Sequence, residues 1–324
     1  MNPDWYTPDP TLAASLNGAL RLSTLGLITA RGADAAAFLH GQLSNDFALL
    51  NPQHARLAAY CNAKGRMLAS LIGFKRGPEE LWLSLRADLL ATTLKRLSMF
   101  VLRAKAKLED AGDSRATLGL AGSALAAVEA QALPIWGKHD LGEACVVRLP
   151  DGAGQPRALW IGPPAAAETL LAKLPELPTA DWDWLEVASG VAPVVAATAE
   201  AFVPQMLNYE LVGGINFQKG CYPGQEVVAR SQYRGTLKRR AQRLDTAARM
   251  QAGDEIFWSV DPQQPSGQVA CAAPRPDGGG FSAIAELKLA ALEGGTLHLG
   301  AADGPPLTLQ ALPYVLPRAE GAAA

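Results

Sequence analysis

Apolar residues recur along this chain at two spacings, and the changes between them mark out elements. Leu20 to Ile28 alternates enough to predict a strand, and Gly32 followed by Asp34 predicts a turn and an N-cap for a helix running through Phe38 and Leu39. The stretch His40 to Leu50 then turns polar, gathering Gln42, Ser44, Asn45 and Asp46 before the turn signal Asn51-Pro52. Two strands follow, near 57–61 and 66–74, joined by Asn62-Ala63-Lys64-Gly65, with a third at Leu81 to Leu85. Residues 88–98 are spaced as a helix, and Phe100 to Leu108 alternates as a strand with Arg103, Lys105 and Lys107 on one face. Through the middle third, helices are expected near 121–131, 165–174 and from Asp181 to Ser189, with strands near 145–149 and 157–161. Trp182 and Trp184 straddle the last of these helices. Beyond Lys238, short apolar runs at turn-rich intervals predict a small antiparallel β domain, so a boundary is placed at 240, giving regions 1–240 and 241–324.

Size and composition narrow the class. At 324 residues and 49% hydrophobic the chain is long enough for two or three packed subdomains, and no apolar run is long enough to span a bilayer. Its 29 basic and 31 acidic residues nearly cancel, which argues against a strongly electropositive nucleic-acid binder. The best local candidate for such contact is Lys238-Arg239-Arg240 with Arg234 and Arg243, for which a solvated face is the expectation. Cys61, Cys145, Cys221 and Cys271 form no CxxC pair and His40, His54, His139 and His298 have no metal spacing, so neither a disulfide framework nor a zinc site is expected. A reducing cytoplasm and the absence of a leader in the Pro-rich N-terminus are the corresponding expectations.

The most unusual local composition is Lys219-Gly220-Cys221-Tyr222-Pro223-Gly224-Gln225-Glu226. Gly220 and Gly224 allow positive φ and close approach to a ligand. Lys219, and a helix beginning near Gly224, favour the Cys221 thiolate by charge and dipole. The competing reading is a small apolar cysteine buried in a tight turn. Cys61, Cys145 and Cys271 lie in expected strands and read as packing.

This segment matches K-G-C-[FY]-x-G-Q-E at every defined position, and the chain resembles the YgfZ-type folate-binding proteins, relatives of the glycine-cleavage T-protein (aminomethyltransferase, GcvT). Three further stretches resemble the family in the same order: Phe38 to Asp46, Tyr60 to Arg66 and Phe202 to Phe217. The resemblance implies an α+β, GcvT-like fold of two intertwined α/β subdomains plus a C-terminal antiparallel β-barrel around a tetrahydrofolate site. It also implies a role in maturation or repair of iron–sulfur enzymes, including those that methylthiolate tRNA. Cys221 is then the working thiol, either a transient iron or cluster ligand or a redox or nucleophilic group.

The T-protein's acidic pair falls here on Ala69 and Ser70, and its pterin-binding glutamate on Ala188, with Glu186 two residues earlier as a substitute. Glycine-cleavage activity is therefore not expected. A folate-dependent aminomethyl or one-carbon transferase is the alternative, and an RNA- or protein-binding scaffold the second. Folate needs an apolar slot with stacking side chains and a cation at its mouth. Tyr60, Phe217 and Tyr222 are candidate walls, against ordinary core packing. Lys64, Arg66 and Arg230 are candidate partners for the glutamate tail, against a solvated surface. Asn45, Asp46, Gln205, Asn208 and Gln225 offer polar contacts or caps, and Glu226 either contacts the ligand or orients the loop.

Overall fold

A computed structural model describes residues 15–233 and 237–317. The expectations for the N-terminal leader, Arg234 and the C-terminal tail lie outside the described residues. Two five-stranded antiparallel sheets and a closed six-stranded barrel make up the fold. The first sheet contains β1 (Gly18–Arg21), β7 (Ala116–Ala121), β8 (Lys138–Leu141), β9 (Ala144–Gly152) and β10 (Gln155–Gly162), ordered β1-β7-β10-β9-β8. The second contains β2 (Leu25–Arg31), β3 (Ala55–Cys61), β4 (Met67–Gly77), β5 (Glu80–Arg86) and β6 (Lys107–Asp110), ordered β3-β4-β5-β2-β6. The chain starts in one sheet, builds the other, and returns, which is what intertwines the two α/β units. Helices α1 (Ala35–Gln42), α2 (Ala87–Met99), α3 (Pro164–Leu171), α4 (Thr179–Ala188) and α5 (Gln225–Tyr233) pack around them. Strands β11 (Arg239–Thr246), β12 (Glu255–Trp258), β13 (Asp261–Pro274), β14 (Phe281–Lys288), β15 (Leu297–Leu299) and β16 (Pro306–Gln310) close the barrel, β16 pairing back onto β11.

Four local expectations are corrected. The strand from Leu20 to Ile28 is two strands in different sheets, because the chain turns at Leu22 to Leu25. Asp34 occupies the N-cap position of α1, but its carboxylate accepts the Lys105 N–H at 2.7 Å instead of capping the helix. The alternation from Phe100 to Leu108 yields a strand only from Lys107; before it the backbone keeps turning, with Leu102 at φ 42° and an Ala104 N–H to Val101 O bond. The helix expected over 121–131 is a 3-10 turn, Gly122–Val128, which Glu129 ends at φ 54°.

Trp182 and Trp184 do straddle α4. Trp182 packs over Gly119 of β7, whereas Trp184 donates its indole N–H to Ser282 Oγ of the barrel at 3.1 Å. One helix thereby plugs the sheets and the barrel together. The basic run at the junction is solvated only in part: Lys238 is exposed, but Arg239 donates twice to Glu286 at 2.8 Å, and buried Arg240 pairs with Glu210 at 2.6 Å. No helix among the described residues is long and apolar enough to cross a membrane.

Candidate functional site

Stretches from three parts of the chain, near residues 40–46, 57–65 and 213–225, meet on one rim. The polar run after α1 is held open by its own side chains: Ser44 Oγ donates to Gly214 O at 2.6 Å and accepts the Ala59 N–H at 2.7 Å. Asn45 Nδ2 donates to both Leu57 O and Gly213 O, at 2.8 and 2.7 Å. These bonds seat residues 213–217 on the β3 edge and so aim the following Lys219-Gly220-Cys221 segment. Lys219 then reaches back, donating to His40 O at 2.5 Å and Leu43 O at 3.0 Å, with its ammonium 4.7 Å over the Tyr222 ring.

Burial depresses the Lys219 ammonium to about 8, with Asp46 and Cys221 opposing the shift by charge. Burial also pushes the Asp46 carboxyl up, but the Leu49 N–H and the neighbouring His40, 3.0 Å from its oxygen, outweigh that and leave it below the usual value. Gly224 has φ +81°, and a Cβ there would stand 2.4 Å from Asn62 O and 2.7 Å from Gly65 Cα. The β3–β4 turn and the start of α5 therefore touch backbone to backbone, which only glycine permits. Gly220 does not share the positive φ; it lies against His40 instead.

Cys221 sits just before the N-terminus of α5 and is exposed, which overturns the buried-turn reading. The other three thiols are buried in β3, β9 and β13, and desolvation pushes each up to about 12. No group of three or more His, Cys, Asp or Glu among the described residues is placed to hold a metal ion.

Of the remaining candidates, Tyr60 and Tyr222 are buried, and Phe217 stacks edge-on against Tyr233 at 5.8 Å. Gln205 donates to Val228 O at 2.7 Å and Asn208 to Ala241 O at 3.0 Å, so both brace elements rather than open into solvent. Gln225 Oε1 accepts the Tyr222 N–H at 3.3 Å, and Asn62 and Ala201, not a ligand, hold the backbone and guanidinium of Arg66. Lys64, Glu226 and Arg230 are exposed.

A second feature lies inside. The two sheets face each other across a cavity with about 70 Å³ of free volume, and α4 closes a third side. Its walls are Leu57, Ser70, Leu71 and Ile72 of β3 and β4, Ser84 and Arg86 of β5, Leu149 of β9, Arg157 and Leu159 of β10, and Trp182 and Glu186 of α4, together with Trp136 and Tyr209. Leu57, whose carbonyl accepts from Asn45, is the one point the rim shares with it among the described residues. Ser70 lines it where the T-protein pattern has a carboxylate, and Glu186, not Ala188, is the carboxylate that faces it. Glu186 forms an ion pair with Arg86, which raises the guanidinium's pKa despite burial. Beyond this pair, Asp183, Arg249 and Cys271 line a second cavity that shares Arg86 and Glu186 and abuts the barrel.

Sequence reasoning missed Arg86, Trp136, Arg157 and Tyr209, because no local motif marks them. The available signals were an arginine inside an otherwise apolar strand at 157, and the Trp182-Trp184 pair, whose two faces must meet different neighbours.

No family model matches the chain. It is 32% identical over 291 residues to the tRNA-modifying protein YgfZ of Escherichia fergusonii, covering 84% of this chain and 88% of that protein. It is 33% identical over 251 residues to the protein of that name from Photorhabdus laumondii, covering 74% and 75%. Among solved structures, the glycine cleavage system aminomethyltransferase T from Bartonella henselae superposes with a TM-score of 0.66 at 17% identity, covering 94% of this chain and 89% of that one. That likeness establishes a GcvT-like fold with its C-terminal barrel, and the sequence relation is closer: the chain belongs to the YgfZ family.

Proposed function

We propose that this protein binds tetrahydrofolate or a derivative in the inner cavity and acts through Cys221 in support of iron–sulfur enzymes, including those that modify tRNA. The relatives named as tRNA-modifying proteins support the tRNA connection. The observation that carries the folate reading is the chemistry of the cavity. It combines flat aromatic walls, Trp136 and Trp182, with one carboxylate, Glu186, able to accept from an amino edge. Three buried donor atoms, Ser84 Oγ, Arg86 Nε and Arg157 Nη1, have no hydrogen-bond partner among the described residues. Buried polar atoms are almost always satisfied, so a cavity holding three orphans fits a polar aromatic ligand.

Glu186 and the orphaned donors would hold the pterin, which when bound supplies a one-carbon carrier. A glycine-cleavage aminomethyltransferase is disfavoured because Ala69 is buried and Ser70 supplies only a hydroxyl where the transfer needs a carboxylate. Cys221, Lys219 and the segment to Glu226 form the working rim. Clients are iron–sulfur proteins rather than nucleic acid directly, and the setting is the reducing cytoplasm, which suits four free cysteines.

Calorimetric titration with tetrahydrofolate tests the ligand, and Cys221→Ala tests the thiol. Saturable binding is expected in both proteins with affinities within about twofold, since exposed Cys221 holds no wall of the cavity. The variant is expected to lose support of iron–sulfur enzyme activity in cells lacking the native protein. Absence of binding at high ligand concentration overturns the folate reading; full support by the variant removes Cys221 from the mechanism.

A further inference from the structure

The inner cavity contains a cation that its walls leave unsatisfied. Arg157 is 2% exposed on β10. Its Nε and Nη2 donate to Pro150 O at 3.2 and 3.1 Å, and its guanidinium lies 5.2 Å from the centre of the Trp182 ring. Its Nη1 has no acceptor among the described residues, and neither does the hydroxyl of Ser84, which lines the same cavity. A guanidinium has donors only, so an unused N–H of a buried one is free energy lost until an oxygen or nitrogen lone pair arrives.

The charges in the cavity are arranged asymmetrically. Glu186 is paired with Arg86, and Asp151 is paired with Arg148, so Arg157 has no ion-pair partner among the described residues. Burial lowers Arg157 to about 10, which still leaves it protonated at neutral pH. Glu186 and Asp151 act on the Arg157 guanidinium by charge without bonding it, so the cavity presents one carboxylate and an unused donor. A flat heterocycle with an amino edge and an oxo edge satisfies both.

We propose that Arg157, with Ser84, recognises the ring oxo group of the pterin and makes the cavity selective for 4-oxo over 4-amino pteridines. This rests on the folate reading above and names the chemical determinant within it. A site built to donate to an oxygen rejects an analogue that presents N–H donors at that position, because two donors then face each other without an acceptor.

The test compares tetrahydrofolate with tetrahydroaminopterin, in which a 4-amino group replaces the 4-oxo group, by calorimetric titration of the full chain. Wild-type protein is expected to bind the oxo ligand at least about tenfold more tightly. Arg157→Met, whose stem still packs on Trp182, is expected to lose about tenfold affinity for the oxo ligand while its affinity for the amino ligand stays the same or improves. Arg157→Lys, which restores a charge and a donor, is expected to recover part of the preference. Equal wild-type affinities overturn the assignment of Arg157 even if Arg157→Met does not fold. Equal losses for both ligands in a folded variant reduce Arg157 to a packing role and also overturn it. Binding of neither ligand by wild type overturns the folate reading itself.

Discussion

At the scale of single residues, Asp183 is the group that most directly couples the interior to solution conditions. It lies on α4 facing the second cavity, where burial, and then the like charge of Glu186, push its carboxyl up to about 6 against the opposing pull of Arg86. In the unfolded chain it titrates near the usual carboxylate value, about 4. Between those values the folded protein keeps a proton that the unfolded chain has released. Asp183 therefore imposes no penalty below about pH 4 and an increasing one as pH rises through 6. Asp183→Asn removes the charge and keeps the shape. Its melting temperature relative to wild type is expected to rise from pH 4 to about pH 6 and then level off, measured by thermal denaturation at low and neutral pH. A difference that is the same at both pH values contradicts the assignment. Lys219 illustrates the reverse case: its ammonium is held between two carbonyls and an aromatic face, with depression by burial as the cost of placing Cys221 at the rim.

At the scale of elements, the decisive contact is between the Asn62–Gly65 turn and the start of α5. Both Gly65, at φ +72°, and Gly224, at φ +81°, adopt left-handed backbone. A Cβ on Gly224 meets backbone atoms that cannot yield, whereas a Cβ on Gly142, at φ +61°, meets nothing within 4 Å. Gly142→Ala therefore isolates the cost of the dihedral, about 1 kcal/mol. Gly224→Ala adds the steric clash and is expected to cost at least about 2 kcal/mol more in urea denaturation, with the α5 end of the rim displaced. Similar losses for the two variants contradict the close approach. The β3–β4 hairpin was legible from the chain because alternation and a glycine turn coincide there, and so was Gly224 before α5, though not the ordinary backbone of Gly220. The segment from Phe100 to Lys107 was not, because Arg103, Lys105 and Lys107 reproduce strand alternation while Leu102 carries the backbone through a left-handed turn. The motif residues identified the rim and the family. The cavity stayed hidden because Ser84, Arg157 and Glu186 come from three elements that only the packed sheets bring together.

At the scale of the whole molecule, the barrel is joined to the intertwined sheets through Asn208. This residue has φ +59° after a short turn and is fully buried. Its amide donates to Ala241 O at 3.0 Å and to the Tyr314 hydroxyl at 3.2 Å, and its carbonyl accepts from Arg240 at 3.0 Å. Tyr314 in turn donates to Gly190 O at 2.8 Å, just after the helix that carries Trp182 and Glu186. The first barrel strand, the C-terminal segment and the wall of the cavity thus meet at one side chain. Asn208→Gly keeps the left-handed backbone without strain and removes the bonds to Ala241, Tyr314 and Arg240. It also leaves Arg240 buried with Glu210 as its remaining carboxylate partner. Each buried group that loses a partner costs about 1–3 kcal/mol, so the effect falls on the junction rather than on either core. Scanning calorimetry is expected to show one cooperative transition for wild type and two for Asn208→Gly, the barrel melting apart from the sheets. On the proposed binding of tetrahydrofolate between the sheets, the ligand is expected to raise only the sheet transition of the variant. A single transition in the variant, shifted as a whole, contradicts the role of Asn208 as the residue that couples the two parts, leaving that coupling to contacts such as Trp184–Ser282 and Arg240–Glu210.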